Sequence, residues 1–166
     1  QKLFYFTNSL EYHKEQFLIS QFDLHSYVNE YLDKHQTSKK EANLLKEWFL
    51  ELGGYIELAK KLLREKDILL LDEGFYQRVI SIFAFKQGNP STSDVMEYLS
   101  RIPAIRKVFF VDVNPDVCID RFTKRGMSIR LKNAKEGEFK VFYQNAVNLI
   151  KLCIENTKAD VHIIKN

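Results

Sequence analysis

Apolar side chains recur at three- and four-residue steps through the first half of the chain. Leu44, Leu45, Trp48, Phe49, Leu52, Tyr55, Ile56, Ala59, Leu62 and Leu63 form the longest series, and it predicts an amphipathic helix with these residues in a core. Phe17, Leu18, Phe22, Val28, Tyr31 and Leu32 give a more ragged helical stripe over residues 10–33, and the polar residues 33–41 connect the two. Gly53-Gly54 interrupts the longer series at a cost of about 1 kcal/mol per glycine relative to alanine. The pair reads as a kink or a close helix crossing.

The second half alternates between strand and helix patterns. Residues 67–71 contain Ile68-Leu69-Leu70-Leu71, a short apolar run ending at Asp72 and Glu73, which predicts a buried strand. A helical stretch over residues 76–85 and a loop at residues 88–91 follow. Asp94, with Glu97 three residues on, caps a short helix. Residues 107–113 read K-V-F-F-V-D-V, a second buried strand. Asn114-Pro115 starts a helix, a cap followed by proline in the first turn. That helix ends at Gly126, with Lys124 and Arg125 in its last turn, where the helix dipole favours cations. After a polar basic stretch, Phe139, Phe142, Ala146, Leu149, Ile150 and Cys153 mark a long helix, and Asp160–Lys165 reads as a final strand. Continuous apolar strands between helices predict an α/β fold with a parallel sheet covered by helices.

Composition narrows the function. The chain has 166 residues, 45% hydrophobic and 28% charged, the profile of one ordinary globular domain. No apolar run approaches the ~20 residues of a membrane span, and the first ten residues lack the pattern of a signal peptide. Cys118 and Cys153 read as reduced thiols on helices, which sets the expectation of a cytoplasmic protein. A formal charge of +3 is too small to imply a nucleic-acid partner. With only 6 glycines, a phosphate-binding glycine loop should stand out, and neither G-x-x-x-x-G-K-[ST] nor G-x-G-x-x-G occurs.

Two groups of residues could carry chemistry. In the first, Leu71-Asp72-Glu73-Gly74-Phe75-Tyr76-Gln77-Arg78, two adjacent carboxylates follow the expected strand. Adjacent acids repel, so the pair wants a cation or a base nearby. An Asp there can hold magnesium, and a Glu can take a proton from a hydroxyl. A solvated turn would show the same residues. In the second group, Arg121 and Arg125 stand four apart on one helix, a spacing at which like charges destabilise by roughly 0.2–0.5 kcal/mol unless an anion relieves them. Arg130 follows in the basic loop with Lys132 and Lys135. A solvated basic face, partly paired with Asp120, is the plain alternative. His13, His25, His35 and His162 show no metal-ligand spacing.

The order of these segments resembles the second part of P-loop kinases of the thymidylate-kinase and deoxynucleoside-kinase type. The L-D-E-G-x-x-Q-R string is most similar to an uncharacterised bacterial group of such kinases. The resemblance covers roughly residues 67–165, and residues 3–63 look like that group's helical insertion. It implies a three-layer P-loop domain over residues 1–166, with a mostly parallel sheet, a helical part at residues 10–66 and an Arg-rich lid at residues 127–136. It further implies ATP and magnesium as cofactors and a small-molecule acceptor as partner. Asp72 would help to hold the metal and Glu73 would be the general base, with Gln77, Arg78 and Arg130 on the acceptor side. Arg121 and Arg125 would face the transferring phosphates. The first strand and phosphate loop of that family are expected upstream of Gln1; Lys14 in a degenerate loop is the lesser alternative, since no glycine surrounds it.

The sequence thus favours an ATP-dependent phosphotransferase whose acceptor is a hydroxyl of a nucleoside, sugar or similar metabolite. The alternative is a non-catalytic nucleotide-binding or interaction module.

Overall fold

The computed structural model describes residues 2–35, 38–84, 91–125 and 136–165. The chain divides into two compact units, Gln1–Ile102 and Pro103–Asn166.

The first unit is helical: α1 (Lys2–Ser20), α2 (Phe22–His35), α3 (Lys39–Leu62), α4 (Phe75–Phe83) and α5 (Thr92–Arg101). The apolar stripe expected over residues 10–33 is two helices, broken at Gln21. Ser38 caps α3, its hydroxyl accepting the Glu41 N–H at 3.2 Å. The apolar spacing of α3 buries Leu45, Phe49, Leu52 and Ile56. Phe49 joins Phe17 of α1 and Phe75 of α4 in an aromatic cluster, with ring centroids 5.6–6.0 Å apart. Tyr98 of α5 is fully buried and donates its hydroxyl to the Phe75 carbonyl at 2.9 Å, so its polar tip is satisfied inside the core.

Gly53-Gly54 is a helix crossing. A methyl carbon at Gly53 would overlap the Phe17 ring, and one at Gly54 would lie 2.9 Å from Cγ of Lys14. Glycine is required here because α1 lies directly on the α3 backbone. Lys14 is buried in this crossing and its ammonium pairs with Glu11 at 2.9 Å and Glu47 at 2.5 Å. The lesser alternative of Lys14 as a loop phosphate ligand therefore fails, since this lysine is helical and engaged by two carboxylates.

The second unit contains β1 (Lys107–Asp112), α6 (Pro115–Arg125), α7 (Glu136–Asn156) and β2 (Asp160–Lys165). β1 and β2 pair in parallel, from Lys107 opposite Asp160 to Asp112 opposite Lys165. The intervening helices supply the crossover that a parallel pair requires. Phe139, Ala146, Leu149 and Cys153 form the buried face of α7, and Phe139 meets Phe122 of α6 at 5.4 Å between ring centroids.

The expected three-layer α/β domain is not what forms. The described residues are mostly helical, and their only sheet has two strands. Residues 68–71 are no strand: they run as irregular chain, with Ile68 89% and Leu70 79% exposed. Among the described residues no sheet edge takes up their backbone, and an apolar run without a paired neighbour has nothing to bury against. β1 is not a buried strand either, because Phe109 and Val111 on one face are about half exposed. Among the described residues no helix is long and apolar enough to cross a membrane. The lid expected at residues 127–136 lies outside the described residues except for the start of α7.

Candidate functional site

The acid pair sits where irregular chain enters α4. Gly74 is the N-cap of this helix and offers no side chain to its first turn, while its carbonyl accepts the N–H groups of Gln77 and Arg78 at 3.1 and 3.2 Å. This turn places Glu73 just before the helix and Arg78 one turn inside it. The Arg78 guanidinium reaches back, with Nη2 3.3 Å from Oε2 of Glu73. The carboxylate is the exposed partner and the guanidinium the sheltered one, with side-chain exposures of 59% and 18%. Glu73 thus stands beside both a helix N-terminus and a guanidinium.

The pair borders a cleft of about 360 Å³ lined by Trp48 of α3 with Glu73, Gln77, Arg78 and Ser81. Nε of Arg78 is buried, and among the described residues it finds no hydrogen-bond acceptor. A buried donor left unmade costs about 1–3 kcal/mol, and this N–H is enclosed by protein rather than open to the cleft. Gln77 contributes an exposed amide that can both donate and accept. The cleft therefore combines a carboxylate, a guanidinium, an amide, a hydroxyl and an indole.

Glu73, Gln77 and Arg78 were expected from sequence and are brought together. Arg78 differs from expectation in one respect: it holds Glu73 as well as facing the cleft. Asp72 is exposed and does not line the cleft. Trp48 was read as core and is half-buried at the cleft instead. The available signal was its position on the flank of the α3 stripe, one residue before the fully buried Phe49. Ser81, one turn beyond Gln77, was also missed.

Arg121 and Arg125 are exposed in the second unit, one turn apart on α6. The neighbouring Asp120 pairs with Lys124 at 2.7 Å. Arg130 lies outside the described residues. The histidines serve local packing: His35 lies 4.4 Å from the Tyr31 ring, and His162 stacks on Phe109 at 5.3 Å.

The described residues contain no group of three or more His, Cys, Asp or Glu side chains that could hold a metal ion. Asp72 supplies a single carboxylate, which suits magnesium only when phosphates complete its shell. For ATP the fit fails among the described residues. Gly53 and Gly54 are filled by side chains of α1, Gly74 caps α4 at φ −124°, and Gly137 lies in α7, so no glycine-lined cradle for phosphates is formed.

A second cleft of about 570 Å³ lies at the α1–α2 turn, where Asp23 and Arg101 flank the exposed Ile19 and Phe22. Comparison with protein-family models, curated proteins and solved structures found no match to this chain.

Proposed function

We propose that this chain belongs to an ATP-dependent phosphotransferase and that the Glu73 cleft receives its small-molecule acceptor. The observation that carries the reading is the Glu73–Arg78 pair at 3.3 Å on the border of a cleft that Trp48, Gln77 and Ser81 complete. A carboxylate held beside a guanidinium is fixed in direction, and a carboxylate so placed can accept a proton from a hydroxyl. The charges of Glu73 and Arg78 offset each other, so the cleft favours an uncharged alcohol over a phosphomonoester. In this reading ATP supplies the phosphoryl group, with Asp72 on the magnesium side. The described residues hold no cradle for ATP, so the chemistry derived from them concerns the acceptor alone. The free thiols of Cys118 and Cys153 suit a reducing compartment, and the proposed location is the cytoplasm.

The test is Glu73→Gln, assayed in the full-length protein against a panel of hydroxyl acceptors with ATP and magnesium. Turnover should fall by about 10²–10⁴ while acceptor binding changes little. Wild-type turnover in Glu73→Gln would remove the base from this position. Failure of the wild-type protein to bind ATP would favour a non-catalytic interaction module.

A further inference from the structure

β1 pairs with β2 on one side, and among the described residues no strand lies along its other edge. The Asp160 N–H donates to the Arg106 carbonyl at 3.0 Å, so the backbone groups of Arg106, Val108, Phe110 and Asp112 turn toward β2. Those of Lys107, Phe109 and Val111 therefore turn outward, to the open edge. The side chains of these three share one face, on which Phe109 is 55% and Val111 51% exposed. Outward N–H and C=O groups beside exposed apolar side chains are a template for another strand. A lysine can guard such an edge, but the Lys107 ammonium is turned to β2, 3.5 Å from the Asp160 carboxylate.

The charges at the two ends of β1 decide which strand fits. When two copies of one strand pair antiparallel about a two-fold axis, directly opposed side chains lie on one face. Two residues can therefore oppose each other only if they are an even number of positions apart. Arg106 and Asp112 are both exposed and stand six positions apart. In the register that sets Phe109 opposite Phe109 of the second copy, Arg106 of each copy stands opposite Asp112 of the other. Lys107 then faces Val111, and Val108 faces Phe110, in both directions. This register also uses every outward backbone group, because Lys107, Phe109 and Val111 occupy the hydrogen-bonded positions. The neighbouring registers lose both charge pairs. β2 has no equivalent: Asp160 and Lys165 are five positions apart, so no two-fold register brings them together.

We propose that β1 is the contact strand of a symmetric homodimer, in which two sheets join edge to edge in the order β2-β1-β1-β2. The proposal rests on β1 and its flanking charges and is independent of the phosphotransferase reading.

The experiment measures the mass of the purified protein by sedimentation velocity over a range of concentrations. The expected result is a concentration-dependent rise from monomer to dimer without larger species, since a two-fold pairing closes on itself. Val111→Pro removes an outward N–H and no bond to β2, so it should keep the circular dichroism of wild type and stay monomeric. Arg106→Asp and Asp112→Arg should each weaken the dimer about tenfold or more, because both symmetric pairs become like-charge contacts. The two changes together should restore it. This swap keeps the test decisive should Val111→Pro fail to fold. A monomer at every concentration would overturn the proposal. So would a dimer that Val111→Pro and Arg106→Asp leave as tight as wild type, since its contact would lie on another face. Hydrogen exchange covers the remaining case. A Phe109 amide protected at dilutions where no dimer forms would mean that a different strand covers β1, and would equally overturn the pairing of two copies.

Discussion

Replacing Gly53 with alanine sets two effects against each other. In an isolated helix the change gains about 1 kcal/mol, because alanine is the better helix former. In the fold, the added methyl carbon overlaps Cγ, Cδ1 and Cε1 of the Phe17 ring. Phe17 is 1% exposed, and its ring lies 6.0 Å from those of both Phe49 and Phe75, so it cannot rotate away without moving them. Overpacking of a filled core costs about 1–3 kcal/mol, and overlap with a whole ring belongs at the upper end. Offset by the propensity gain, the expected net loss is about 2 kcal/mol.

Urea unfolding followed by far-ultraviolet circular dichroism measures this directly, as a lower midpoint at unchanged slope. Gly54→Ala should cost less, because its methyl meets the flexible Lys14 side chain at 2.9 Å and Leu10 at 3.1 Å. Phe17→Leu should make Gly53→Ala less harmful than it is alone, a coupling that a double-mutant cycle detects. Gly53→Ala more stable than wild type would refute the crossing, since the propensity gain would then stand unopposed.

Two further predictions concern titrating groups in the two units. Burial lowers the Lys14 pKa, but the hydrogen bonds and charges of Glu47 and Glu11 outweigh it and hold the ammonium above the ordinary 10.5. Stability from this pair should therefore be fully present at neutral pH and be lost only as alkaline pH passes the raised value. Lys14→Met should cost at most about 1 kcal/mol, because both glutamates remain in solvent, and it should flatten the alkaline loss in urea midpoint; an unchanged alkaline profile would refute the assignment. Burial alone pushes the Cys153 thiol up to about 12, whereas Cys118 is half-buried. A disulfide-exchange reagent at mildly alkaline pH should label Cys118 in the native protein and Cys153 only on unfolding, and equal rates would contradict the packing of α7.

The α3 helix was legible because Leu45, Phe49, Leu52 and Ile56 recur at helical spacing and face one core, although Tyr55 and Leu62 of the same series are exposed. The break at Gln21 was not, since Phe17, Leu18 and Phe22 continue a helical spacing across it. Phe22 is 67% exposed in the fold, so one apolar residue of that stripe served no core. The meeting of Glu73 with a cation was legible because adjacent carboxylates need one, and Arg78 is a single turn away. Trp48 was not, because it neighbours Phe49 in sequence and spacing does not separate the flank of a stripe from its centre. The two arginines of α6 were found by their four-residue spacing, but spacing cannot say what anion they face.

The run of residues 68–71 and the run of β1 look alike as strings of apolar residues, yet only one became a strand. A helix satisfies its own backbone groups, so its spacing carries nearly all the information needed to predict it. A strand leaves its backbone groups to a neighbour, and the apolar string describes only one side of that pairing. β1 has its other side: α6 and α7 return the chain so that Val108, Phe110 and Asp112 stand opposite Val161, Ile163 and Lys165 in register. Residues 68–71 have no such neighbour among the described residues, and Ile68 and Leu70 remain in water. The expected layered fold failed at this point because one of the strings it was inferred from lacked the partner a sheet requires.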